Sequence, residues 1–346
     1  MRPLVALLAA AFMLLTPPAQ ARDVTDSAGR VVTLPQQIDR VFAAGPPAAI
    51  LLYVLAPDTM SGWPRALHPE ERPYIAAPYR DLPETGRLTG RGGGANLERV
   101  LAAAPDVILD FGSVRDTYVD LANRVQAQTG LPYLLINGRF EQTPAALRLL
   151  GRALDRAERG ERLASHVANT FDRIDKILAD VPPDERPGVY LARGPDGLET
   201  GMAGSINTEI IERAGGRTVA DDGGRPRGLV RASIEQVIVA NPEIIVTWDS
   251  TFYDRVFDDP LWQQIDAVKS GRVYLAPSAP FGWIDRPPSL NRIIGLKWMA
   301  GLLYPDRWPG DLRDDVRDFY KLFYHVDLSE DDLNKLLAWS EGRPPE

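Results

Sequence analysis

The chain has 346 residues and no cysteine. That excludes disulfides, thiolate metal sites, cysteine nucleophiles and a lipid anchor carried on cysteine. Histidine is nearly as scarce: His68, His166 and His325 stand far apart. None has a ligand-spaced partner, so the side chains are not expected to hold a metal directly. Long apolar runs are missing too. The longest, Leu4–Leu15, has 12 residues, against the roughly 20 that a membrane helix needs. Basic residues do not dominate: 39 lysines and arginines face 47 acidic residues, for a net charge of −8. Non-specific attachment to nucleic acid or to an anionic membrane is therefore disfavoured. Gly-x-Ser-x-Gly, His-Glu-x-x-His and the phosphate-loop pattern Gly-x-x-x-x-Gly-Lys-Ser/Thr are all absent. No enzyme and no cofactor are expected. Acid pairs leave no motif, so a hydrolase stays as the weakest alternative.

What is present begins with an address. Arg2, the apolar run and Ala19-Gln20-Ala21 make Met1–Ala21 an export signal peptide. Cleavage after Ala21 takes away one arginine and leaves −9 on a soluble chain that starts at Arg22.

The chain also repeats itself. Asn-Leu-Glu-Arg-Val-Leu-Ala-Ala-Ala-Pro-Asp-Val-Ile-Leu at 96–109 matches Ser-Ile-Glu-Gln-Val-Ile-Val-Ala-Asn-Pro-Glu-Ile-Ile-Val at 233–246, at a constant offset of 137. Glu98 meets Glu235 and Pro105 meets Pro242. Each copy reads as an N-capped helix, a proline stop and a short apolar strand. Two copies predict two like-built lobes.

Strands and helices alternate in each lobe, which predicts an α/β fold of two parallel-sheet lobes. In the first, strands are expected at Arg40–Ala44, Thr59–Trp63, Asp106–Phe111 and Leu131–Ile136. Its helices fall at Pro46–Leu55, Leu97–Ala103 and Asp116–Thr129. The second lobe has expected strands at Gly188–Ala192, Arg217–Ala220, Glu243–Trp248 and Arg272–Leu275. Helices there fall at Ile206–Ala214, Ile234–Ala240, Phe252–Ala267 and Ser289–Leu303, with tail helices at Leu312–Tyr324 and Ser329–Trp339. Between the lobes, Pro144–Val181 carries a one-sided apolar stripe. It predicts a single long bridging helix of about 57 Å, a strut that would restrict lobe closure. Gly160 is where it could bend. The expected domains are 1–21, 22–143, the helix 144–181, and 182–346 with its terminal helices.

These features resemble the class III periplasmic substrate-binding proteins of ABC importers. Asp26-Ser27-Ala28-Gly29-Arg30 with Pro35 and Arg40-Val41 is similar to the family's opening hairpin. Asn96-Leu97-Glu98 with Pro105-Asp106-Val107-Ile108 is similar to its internal motif. Phe281 to Ser289, Phe-Gly-Trp-Ile-Asp-Arg-Pro-Pro-Ser, resembles a segment of members that take up iron complexes. The resemblance implies a periplasmic monomer that brings a small-molecule metal chelate to an ABC permease dimer in the inner membrane. It places a ferric siderophore or related iron complex first. Heme, a corrinoid or molybdate/tungstate are the alternatives. It also implies that Glu98 and Glu235, one per lobe, dock into the permease; a carboxylate offsetting the helix dipole is the plainer reading of each.

The cargo cleft of such a fold lies at the carboxyl ends of the strands. Trp63, Arg65, Arg91, Arg193, Trp248, Trp283 and Arg286 stand at or near those ends, with Phe111 beside them. Aromatic walls and guanidinium forks suit an anionic, partly flat ligand. The loop Gly90-Arg91-Gly92-Gly93-Gly94-Ala95-Asn96 precedes a helix N-terminus and can aim N–H groups at an anion; a plain linker is the competing reading.

Overall fold

A computed structural model describes residues 21–90, 97–221, 223 and 228–338. The expected signal peptide up to Gln20, the loop with Arg91 and the expected N-cap Asn96, and Trp339 lie outside the described residues.

A hairpin opens the fold, β1 (Arg22–Thr25) against β2 (Val31–Leu34). The Asp26…Arg30 motif is a clasp. Asp26 accepts from Arg30 at 2.9 Å, and the same guanidinium reaches the carbonyl of Tyr133, pinning the hairpin to the first sheet. Gly29 makes the turn at φ +78°, in the left-handed region.

The first lobe follows with β3 (Val41–Ala43), α1 (Pro46–Leu55), α2 (Leu97–Ala103), β4 (Val107–Gly112), α3 (Asp116–Thr129), β5 (Tyr133–Asn137) and α4 (Thr143–Ala153). β3, β4 and β5 lie parallel in that order. β4 is buried on both faces from Val107 to Phe111, as a helix-covered parallel strand must be. α1 is apolar all round and buried from Ala48 to Leu55. Instead of a strand at Thr59–Trp63, Met60 and Trp63 make isolated bridges to Val41 and Glu84.

α5 (Ala157–Leu178) is the single helix that crosses to the second lobe. The expected continuous helix is corrected here: it breaks at Leu154–Arg156, with Asp155 left-handed at φ +56°. Two things hold the break. Arg22 binds both Asp155 and the carbonyl of Ala153. Gly151 and Gly160 let α4 fold back on α5, so close that a Cβ on Gly160 would lie 2.7 Å from the Leu147 carbonyl oxygen. Gly160 is a packing contact and not a bend. α5 alone has 22 residues, about 33 Å.

The second lobe contains β6 (Gly188–Ala192), β7 (Glu199–Gly201), α6 (Glu209–Arg213), β8 (Arg217–Thr218), β9 (Leu229–Arg231), α7 (Ile234–Ala240), β10 (Ile244–Thr247), α8 (Ser250–Val256), α9 (Asp266–Lys269), β11 (Val273–Leu275) and α10 (Arg292–Leu303). Its parallel sheet runs β11-β10-β6-β8, and β7 pairs with β9 beside it. The helix expected over Phe252–Ala267 is split into α8 and α9, because Pro260 has no N–H to continue it.

α11 (Leu312–Tyr324) and α12 (Glu330–Leu337) were expected with the second lobe. α11 does pack on α10, where Lys297 meets Asp315 at 2.7 Å, and the two tail helices also reach the first lobe. The Tyr53 hydroxyl of α1 donates to the Tyr324 carbonyl, Arg159 reaches Leu322, and Tyr74 donates to Asp332 at 3.2 Å. One apolar cluster runs unbroken from Val41 and Leu109 through α1, α5, α10 and α11 to Val189 and Ile244.

Candidate functional site

The repeat survives in detail. α2 and α7 both end on a left-handed non-glycine residue, Ala104 at φ +43° and Asn241 at φ +39°, immediately before the matched prolines. Glu98 and Glu235 are both exposed in the first turns of these helices. Ser233 and Gln236 form the capping box of α7. The cap therefore does not consume Glu235, whose carboxyl is held below its ordinary range by its backbone N–H and the Ser233 hydroxyl.

The floor between the lobes is ionic and dry. Arg292, at the start of α10, has no exposed surface. Its guanidinium donates to Gly138 on the first lobe and to Ile206 and Glu209 on the second, at 2.9, 3.0 and 3.2 Å. Glu209 also accepts from the Phe140 amide at 2.9 Å and pairs with Arg139 at 2.6 Å. The Phe140 ring lies 4.6 Å beneath the Arg292 guanidinium.

Above this floor the structure brings together three of the expected residues, all from the second lobe. Arg193 follows β6, Trp248 follows β10, and Arg286 stands in the loop before α10. Trp248 is half-buried. The Arg286 guanidinium lies 4.4 Å from its ring centroid and that of Arg193 5.4 Å. Arg286 is exposed and makes no ion pair among the described residues. Arg193 is different: it is buried, paired to Asp285 and 3.2 Å from Glu199. Next to Trp248 a cavity of about 420 Å³ opens between the lobes. Pro277, Ser278 and Ala279 line one side, and Glu70, Tyr74 and Lys335 the other.

Other expected residues go elsewhere. Trp283 has no exposed surface; it packs edge-on to Trp298 and its indole reaches the Tyr320 hydroxyl at 3.4 Å. Gly295 of α10 seats against its carbonyl, where a Cβ would clash at 1.9 Å. The aromatic in this motif is a core residue, corrected from a cleft wall. Trp63 is likewise in the core, 3% exposed, donating to Tyr79 at 2.7 Å and packed on Tyr53 and Phe281. Phe111 is buried in the first sheet. Arg65 spends its fork on Glu71.

Reasoning from sequence missed Asp285 and Asn207. Asp285 is 3% exposed and accepts from Arg193, from Asn207 at 2.8 Å and from the Trp248 indole at 3.1 Å. Burial pushes its carboxyl up, while Arg193 and the two neutral donors oppose that. A charged residue flanked by apolar Trp283-Ile284 was the signal available. Asn207 gave none.

Among the described residues no cluster of histidine, aspartate or glutamate is arranged to hold a metal ion, and no helix is long and apolar enough to cross a membrane. Two parallel sheets joined by one crossing helix, with a cavity between the lobes, make a frame of the kind that encloses a ligand. Comparison with known proteins bears this out. Residues 31–280 match the Periplasmic binding protein family. The chain belongs to that family, as a class III substrate-binding protein of ABC transporters. A solved ABC transporter solute binding protein from Sulfurospirillum deleyianum is 33% identical, with a TM-score of 0.83 over 92% of this chain and 99% of that one. The molybdate-binding protein MolA of Haemophilus influenzae is 24% identical over 340 residues, covering 90% of this chain and 93% of its own. A cobalamin-binding protein of Halobacterium salinarum is 27% identical over 258 residues, covering 67% of this chain and 62% of its own.

Proposed function

We propose that the protein is exported to the periplasm, is released there as a monomer, and delivers a compact anion, of the molybdate or tungstate kind, to an ABC permease dimer. One observation carries this reading: the exposed Arg286 guanidinium, free of any described carboxylate, lies on the ring of Trp248, and Trp248 itself lines an interlobe cavity of a size usual for small-ligand sites. With Trp63 and Trp283 in the core and Arg193 neutralised, Trp248 is the one expected tryptophan left at the cleft, and Arg286 covers a face of it. That is a poor platform for a large flat chelate. The likeness to MolA over 90% of the chain supports the same order. A ferric siderophore or other anionic iron chelate is the second reading; Trp248 and the segment from Phe281 to Ser289 favour it. Glu98 and Glu235 are the residues we assign to permease docking, one on each copy of the repeat.

Equilibrium titration of the mature protein with sodium molybdate, ferric citrate, a ferric tris-catecholate, hemin and cobalamin tests the cargo. Saturable molybdate binding that is weakened but not abolished in Trp248→Ala is expected. Molybdate binding absent, with a ferric chelate bound and lost in Trp248→Ala, would put the second reading first. Uptake of cobalamin with neither anion bound would sink both.

A further inference from the structure

We propose that Asp285 is a positioning residue for the cargo wall: it orients the Trp248 indole and withdraws Arg193 from the charge of the cleft, which leaves Arg286 to meet the anion. The affinity arm of this inference rests on the anionic-cargo reading above; the orientation arm does not.

The argument is one of donors. A buried carboxylate must have its lone pairs filled. Asp285 has three donors, and each comes from a different part of the lobe. Arg193 lies just past β6, Trp248 just past β10, and Asn207 in the turn before α6. One oxygen takes the indole N–H, and the other takes the guanidinium and the amide. Two strand ends and a helix start are thereby tied at a single buried point.

The indole gains the most. Its ring is half-buried at the cleft edge, with the Arg286 and Arg193 guanidinium carbons 4.4 and 5.4 Å from its centroid. A ring at a wet edge rotates unless its polar handle is fixed. Asp285 fixes it, and Arg286 then has a flat, aimed surface on which to lie. The loop delivers both effects from adjacent residues. Gly282 accepts closure of the turn, its amide donating to the Arg286 carbonyl at 3.0 Å. In that turn Asp285 points into the lobe and Arg286 out of it. The charge follows the same division. Arg193 has Asp285 and, at 3.2 Å, Glu199 as counter-charges, whereas Arg286 has no described one.

The first measurement leaves Asp285 unchanged. The Trp248 indole N–H is identified in a ¹⁵N spectrum of the mature protein by its loss in Trp248→Phe. It is expected downfield of solvent-exposed indoles and to exchange with deuterium at least about ten-fold more slowly than they do. A Trp248 signal with the shift and exchange rate of an exposed indole overturns the proposal, whatever the cargo is.

The second measurement is a double-mutant cycle on affinity, with sodium molybdate and ferric citrate as probes. Asp285→Asn and Trp248→Phe are each expected to weaken the probe that binds by about ten-fold, and the double variant by little more than either, since one acts through the other. Losses that multiply toward about a hundred-fold would show that Asp285 does not act through Trp248. A wild type that binds neither probe defeats the anion reading and leaves the indole measurement to decide the role of Asp285.

Discussion

Phe111 and Trp248 occupy the same place in the two copies of the repeat, 137 residues apart, each at or just past the end of the central strand of its sheet. Their surroundings differ. Phe111 is buried among apolar neighbours. The residue before it, Asp110, is a buried carboxyl met by two neutral hydroxyls, Thr89 at 3.2 Å and Tyr133 at 3.1 Å. Trp248 is half-exposed, follows the buried Thr247, and has its N–H bound to a carboxylate that also holds a guanidinium. The same strand–helix unit thus ends once in a sealed edge whose carboxyl meets hydroxyls and once in an open one whose carboxyl meets a guanidinium. An indole can sit at an open edge because its N–H supplies a fixing point that a phenyl ring lacks. The duplication supplies symmetric scaffolding; the cleft chemistry is concentrated in one lobe.

The largest expected effect tests where the symmetry holds. Reversing charge at Glu98 and Glu235 together should abolish uptake in cells while cargo affinity of the isolated protein stays near wild type. A large loss of affinity in solution would show that these residues belong to the cleft. Next comes the asymmetry. Asp285→Ala leaves Arg193 buried without its main counter-charge and should cost about 3–5 kcal/mol in urea unfolding. A cost under about 1 kcal/mol would mean that Glu199 and water suffice. Arg286→Ala should leave stability unchanged and weaken anion binding by about one to two decades, the worth of one desolvated charge-assisted hydrogen bond. Full affinity in that variant removes the anion argument.

The smallest effect is expected at Asp110. Asp110→Asn keeps an acceptor oxygen for one hydroxyl and offers an amide N–H that the other can accept, and should cost less than about 1 kcal/mol near neutral pH. Burial also raises the Asp110 carboxyl above its ordinary value of 3.8. Between 3.8 and that raised value the native state binds more protons than the unfolded chain, so this residue's contribution to stability falls as pH rises through the window. The wild-type stability curve should carry that slope, and Asp110→Asn should lack it; identical curves would show that the Asp110 carboxyl titrates alike in the folded and unfolded chain.

Much of this architecture could be read from the amino-acid order. Apolar runs such as Val107–Phe111, the prolines that stop α2 and α7, and Gly130, left-handed at φ +72° after α3, are local signals with local consequences. The bridging helix was misread because its apolar stripe passes through Leu154 without interruption. What breaks the helix is Arg22, far away in sequence, holding Asp155, together with two glycines whose contact needs the helices already folded back. The cleft was legible only by strand ends, which locate a residue along the chain but not the side to which it turns. Trp283 and Arg286, three residues apart, go to opposite sides. Asp285 lay inside the quoted segment, yet its role depends on three partners from three elements.

The lobes are joined twice along the chain, by α5 and again by the stretch from α10 to α11, and a third time through Arg292, buried between them. Such a double-threaded body is an awkward frame for an optical sensor that reads separation between two dyes, one per lobe, because that separation is expected to stay almost constant. A single environment-sensitive dye beside Trp248 would instead report occupancy through the local field and wetness of the charged edge. The engineering value of the protein therefore lies in one wall of one lobe, with the rest of the fold serving as a quiet, stiff background.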